Sequence, residues 1–143
     1  MFRRSLAPIL LAATVACSSS TGPSLDLGEL PASITLRLGR EAVIGSTAIR
    51  FHEVLEDSRC PIDGVCIWAG NAKVQLGQRS TTGLAAAVMI DLNSTLEPRS
   101  AAVGDLTITY EKLTPAPRSG HETDPKDYRL TLRVERLPVE ARQ

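Results

Sequence analysis

From residue 33 onward, apolar and polar positions alternate with a period nearer two than 3.6, the mark of half-buried strands. Ile34, Leu36 and Leu38 alternate with Thr35 and Arg37. Gly39-Arg40 then turns the chain toward Ala42-Val43-Ile44, which predicts a first hairpin. Gly45-Ser46 breaks the run, and residues 49–54 follow with Ile49 and Phe51 on one face and a register change expected before Val54. A strand is predicted over 67–76, where Ala72, Val74 and Leu76 share a face. Residues 77–83 read as a polar turn. Residues 84–92, with Val88, Met89 and Ile90, read as a strand, although their alanines also suit a helix. Residues 93–99, with Pro98, form a loop, and 106–110 alternate again. Pro115, Pro117, Gly120 and Pro125 make the next stretch a long irregular connection. The clearest alternation lies over 128–135, with Tyr128, Leu130, Leu132 and Val134 on one face and Arg129, Thr131, Arg133 and Glu135 on the other.

About seven short strands without a long amphipathic helix predict an all-β domain, a small antiparallel β-sandwich or open barrel, over residues 33–137, followed by a C-terminal tail at 138–143. A chain of 143 residues has room for one such core. Its 43% hydrophobic and 22% charged content is that of a folding sequence. The 16 basic and 16 acidic residues cancel, and the basic ones form no run long enough to follow a phosphate backbone, so nucleic acid is not an expected partner.

Charge is lopsided only at the start, where Arg3 and Arg4 precede an apolar stretch over 6–16 and no acidic residue appears before Asp26. A charged head, a short apolar run and small residues at its end make a secretory signal. At about 11 residues the run is too short to span a bilayer as a helix, which takes about 20. Its last residues, Thr14-Val15-Ala16-Cys17, resemble the lipobox of bacterial lipoproteins, although Thr14 stands where leucine is usual. That resemblance implies a signal peptide over 1–16, a lipid on Cys17, and attachment to a membrane outside the cytoplasm. Serine at position 18 rather than aspartate further implies the outer membrane. A lipidated Cys17 and flexible tether are then expected over 17–32, the polar run from Ser18 to Ser24 giving the domain its stand-off.

Acylation also accounts for the odd cysteine among three. Cys60 and Cys66 are left to pair in an oxidising compartment. The alternatives are two free thiols or half of a metal site, for which His52 and His121 are the other soft ligands, neither at zinc-finger spacing.

The segment 53–72 around these cysteines is the least ordinary in the chain. Pro61 and Asp63-Gly64 favour a turn, and the single tryptophan, Trp68, lies two residues past Cys66. With so few aromatic residues in the chain, Trp68 is expected in the core beside the disulfide, an exposed anchor being the alternative. Asp57 is expected to cap amides or to pair with Arg59. Gly70 and Asn71 are expected to shape a bulge or turn through positive φ. Glu53, Glu56, Asp57 and Asp63 could instead offer oxygen ligands to a cation, but their spacing matches no EF-hand loop, and no metal or cofactor is assigned. The run Asp57-Ser58-Arg59-Cys60-Pro61, with Cys66, Trp68, Ala69 and Gly70, resembles the signature of a family of bacterial lipoproteins and secreted domains, over most of residues 33–136. The resemblance implies a shared exported domain and no reaction.

Catalytic patterns are lacking: there is no nucleophile elbow, no paired-histidine zinc motif and no phosphate loop. Ser119, His121 and Asp124 are the residue types of a hydrolytic triad, but they crowd one proline-rich loop. The expected function is therefore a non-enzymatic envelope module that binds a protein or cell-surface ligand. The alternatives are an accessory domain for a metal or small ligand, or an inhibitor of an extracytoplasmic protease that presents residues 61–65.

Overall fold

The computed structural model describes residues 23–83 and 86–138. It forms two antiparallel sheets packed face to face. The strands are β1 (Ser24–Leu25), β2 (Ala32–Arg37), β3 (Glu41–Ile44), β4 (Thr47–Asp57), β5 (Ala72–Ser80), β6 (Val88–Asn93), β7 (Ser100–Val103), β8 (Leu106–Thr114) and β9 (Arg129–Arg136). One sheet has the order β1-β3-β4-β5-β6 and the other β2-β9-β8-β7. Only β1 departs from antiparallel pairing, lying parallel to β3. The sheets do not close into a barrel, so of the two expected architectures the sandwich is found.

Alternation explains the core. Leu130, Leu132 and Val134 of β9, Ala72, Val74 and Leu76 of β5, and Ile34 and Leu36 of β2 point inward and are buried, while their neighbours along each strand stay more open. Where the period breaks, a bulge restores the packing. β4 shifts register between Phe51 and Glu53 and again between Val54 and Glu56, which is the change expected near Val54. β8 shifts between Tyr110 and Lys112, so Tyr110 and Leu113 are both buried although three residues apart.

Several expectations are corrected. Residues 34–38 and 42–44 do not form a hairpin: β2 pairs with β9, and β3 pairs with β4 about Gly45-Ser46. The chain changes sheets at residues 38–40, so the apolar faces of β2 and β3 meet across one core instead of lying side by side. The strand expected over 67–76 begins only at Ala72, and β5 runs on to Ser80 through the polar stretch expected as a turn, because Gln78, Arg79 and Ser80 pair with Ile49, Ala48 and Thr47. Two strands were not expected, β1 and the alanine-rich β7. β1 draws residues of the expected tether into the fold, since Leu25 and Leu30 pack on the core and Asp26 caps a 3-10 turn at Leu27–Glu29. Cys17, the signal segment, residues 18–22 of the tether and residues 139–143 of the tail lie outside the described residues.

Candidate functional site

β4 and β5 form one long hairpin, and its end carries the distinctive segment. The ladder continues past both strands, with the Ser58 amide donating to Asn71 O at 2.7 Å and the Cys60 amide to Ala69 O at 3.0 Å. Beyond them the chain makes a short excursion closed by the expected disulfide between Cys60 and Cys66, whose Cα atoms are 5.9 Å apart. The Gly64 amide donates to Pro61 O at 3.1 Å, making the expected turn.

Four contacts hold this loop to the body. Arg59 is a clamp: its Nε and Nη2 each donate to a carboxylate oxygen of Asp57 at 2.6 Å, Nη2 also donates to Pro115 O at 2.9 Å, and Nη1 donates to Leu113 O. One guanidinium thus ties the loop to the other sheet at the end of β8. The Tyr128 hydroxyl donates to Asp57 Oδ2 at 3.0 Å from the start of β9. Burial pushes the Asp57 carboxyl up, but Arg59 and then Tyr128 outweigh it and hold the group below its ordinary value. Asp63, farther out, accepts from the Ser119 amide at 2.8 Å, and that bond chiefly holds its carboxyl below the ordinary value as well. The Ile62 amide donates to Pro117 O at 3.0 Å.

Asn71 is a further brace. It is buried, and its side-chain Oδ1 accepts from the amides of Ser94 and Thr95, both at 3.2 Å, while Nδ2 donates to Asn93 Oδ1 at 2.9 Å. The loop after β6 is thereby bound to the root of the disulfide hairpin. Asn71 does not have positive φ, contrary to expectation, because its side chain and not its backbone does the shaping. Gly70 does, at φ +68°, and a Cβ there would lie 1.8 Å from Ser58 O. Only glycine permits this close approach of the two chains.

Trp68 is corrected too. The ring is not in the core but 67% exposed. The end of the sandwich that would receive it is closed instead by the Asp57–Arg59–Tyr128 cluster and by Asn71, so the chain outside the Cys60–Ala69 pairing turns its side chains to solvent. Ile67 and Val65 are fully exposed and Ile62 is 60% exposed. Four large apolar side chains are therefore exposed on one short, braced loop. Sequence reasoning passed over Ile62, Val65 and Ile67, although the unalternated apolar run Val65-Cys66-Ile67-Trp68 across the second cysteine was a readable sign of the last two.

Beside the loop, Glu56, Asp57, His121 and Glu122 border a cleft of about 330 Å³. Asp57 is spent on Arg59 and Tyr128, and Glu56 accepts from the Ser58 hydroxyl at 2.7 Å. Among the described residues, no three His, Cys, Asp or Glu side chains are grouped to hold a metal ion. The triad residue types are engaged apart from one another: the Ser119 amide bonds Asp63, and Asp124 caps the turn at Pro125–Asp127 and pairs with Lys126 at 2.7 Å. No helix among the described residues is long and apolar enough to cross a membrane.

Comparison with known proteins returns no match to the chain among family models, curated proteins or solved structures.

Proposed function

We propose that the protein is a lipid-anchored binding module of the bacterial cell envelope, and that its contact surface is the disulfide loop bearing Ile62, Val65, Ile67 and Trp68. The observation that carries this reading is the exposure of all four side chains on a loop fixed by a disulfide, a bidentate ion pair and backbone bonds to a neighbouring loop. Large apolar side chains exposed close together in the chain mark a candidate interaction site, and tryptophan is among the residues that dominate binding energy. Fixing the loop beforehand removes much of the ordering entropy that docking would otherwise lose. Burying each such side chain contributes about 1.5 to 3 kcal/mol. The disulfide suits an oxidising compartment, in keeping with the export signal and the candidate lipid attachment at Cys17.

Two measurements test this. Mass spectrometry of the chain extracted from membranes is expected to find an N-terminus at Cys17 carrying a lipid-sized adduct, absent from Cys17→Ala. An unmodified soluble wild-type chain would overturn the anchor. Crosslinking in intact cells is expected to give a discrete partner adduct that Val65→Ser/Trp68→Ser removes without lowering the melting temperature. An adduct that survives the double substitution would overturn the contact surface.

The braced loop also favours a second reading, inhibition of an extracytoplasmic protease, since residues 62–65 are exposed on a loop tied down by the disulfide and by the Ile62 and Asp63 bonds. Slow or absent cleavage at the loop together with inhibition lost in Val65→Asp would support it, and rapid cleavage without inhibition would remove it.

A further inference from the structure

The charge around the loop identifies the kind of partner. Segments 53–63 and 115–127, which frame the apolar tip, hold seven acidic residues, Glu53, Glu56, Asp57, Asp63, Glu122, Asp124 and Asp127, against three basic ones, Arg59, Arg118 and Lys126. That is an excess of four negative charges, or three once Arg129 is counted, whose Nη1 donates to Lys126 O at 2.9 Å, in a chain whose net charge is zero. Pairing does not reduce the excess, because Arg59 is taken by Asp57 and Lys126 by Asp124, while Glu53, Glu56, Glu122 and Asp127 make no ion pair among the described residues. Glu56 and Glu122 border the same cleft, and Glu53 borders the next one, with Tyr128 between them.

Resting on the binding reading above, we propose that the loop docks into an apolar pocket of an envelope protein whose rim is rich in lysine and arginine. Opposite charge at the rim steers encounter and fixes orientation around the apolar anchor. A bilayer is the poorer occupant for two reasons. Interfacial membrane segments surround their aromatic residues with lysine and arginine, the reverse of this skirt, and anionic headgroups would repel it. The loop is also remote from the anchored end. β1 lies against Val43 and Ile44, whose β4 partners are Ala48 and Thr47, whereas the loop leaves β4 beyond Asp57. At about 3.3 Å per residue, that is roughly 25 to 30 Å along the sheet.

The test introduces benzoylphenylalanine at position 68 of the full chain in its native membrane and maps the photo-adduct by mass spectrometry. The expected adduct lies on an identified protein, at an apolar patch flanked by lysine and arginine. With that protein purified, Glu56→Lys/Glu122→Lys is expected to weaken binding about tenfold or more, and raising salt is expected to weaken the wild type. Both sites are exposed, and the Ser58 hydroxyl that bonds Glu56 also reaches Asn71 O at 3.1 Å, so the melting temperature should stay close to wild type. An adduct with lipid, an adduct at a patch without basic residues, or binding indifferent to charge reversal and salt would overturn the inference. Trp68→Ala separates the two levels. If it weakens binding while charge reversal does not, the loop is the contact surface and only the partner chemistry is wrong. If no protein adduct forms, or Trp68→Ala has no effect, the binding reading falls as well.

Discussion

Gly70 and Asp57 show how single positions set the geometry of the loop. A side chain at position 70 would run into the Ser58 carbonyl and would also have to adopt positive φ, so Gly70→Ala has no unstrained place for its methyl group. It should destabilise the fold by at least about 2 kcal/mol, read as a lower denaturant midpoint, whereas a mild change would mean that the two chains can part there. Asp57 gives a pH signature. Its folded-state carboxyl lies below the ordinary value, so its contribution is fully present above the ordinary carboxylate range and is lost as pH falls through the depressed value. Thermal unfolding of wild type should therefore lose stability on acidification, and Asp57→Asn should be less stable near neutrality and show a shallower acid limb. Arg59→Ala removes both the charge partner and the bonds to Leu113 and Pro115, and about 2 kcal/mol of destabilisation is expected from a denaturant titration.

At the scale of elements, legibility followed the origin of each signal. β9 could be read because Leu130, Leu132 and Val134 alternate without interruption, with Tyr128 continuing the pattern just before the strand, and meet a core that wants that pattern. β1 and β7 could not, because β1 takes its pairing from β3 and β7 consists of small residues whose place is set by β8. The Cys60–Cys66 pair and the Pro61–Gly64 turn are local and were readable. The fate of Trp68 is not local. It depends on Tyr128 bonding Asp57 from far along the chain, and on Asn93, Ser94 and Thr95 folding back onto Asn71. The Asp57–Arg59 pair was foreseen, but the reach of Arg59 to Leu113 and Pro115 requires the topology. Since the loop is braced by more than its disulfide, Cys60→Ser/Cys66→Ser should cost about 2 kcal/mol on the chain-entropy estimate and leave both sheets intact. Hydrogen exchange should then quicken in residues 61–68 while the amides of β5 and β9 remain protected. Loss of protection across β5 would mean that the crosslink holds the sheet itself.

The whole molecule is a sandwich with a chain entry at one level of the first sheet and an apolar loop with an acidic skirt beyond the far end of β4. Such a layout suits a tethered domain that offers one end to a partner, and it places the central claim on the occupancy of Trp68 in the envelope. Hydroxyl-radical footprinting reads that occupancy directly, because Trp68 is the sole tryptophan and Met89, exposed on the edge strand β6, serves as an internal reference. In the purified protein both residues should oxidise readily. In intact envelopes Trp68 should become protected several-fold while Met89 does not, and Trp68 oxidising as fast in the envelope as in isolation would contradict the account.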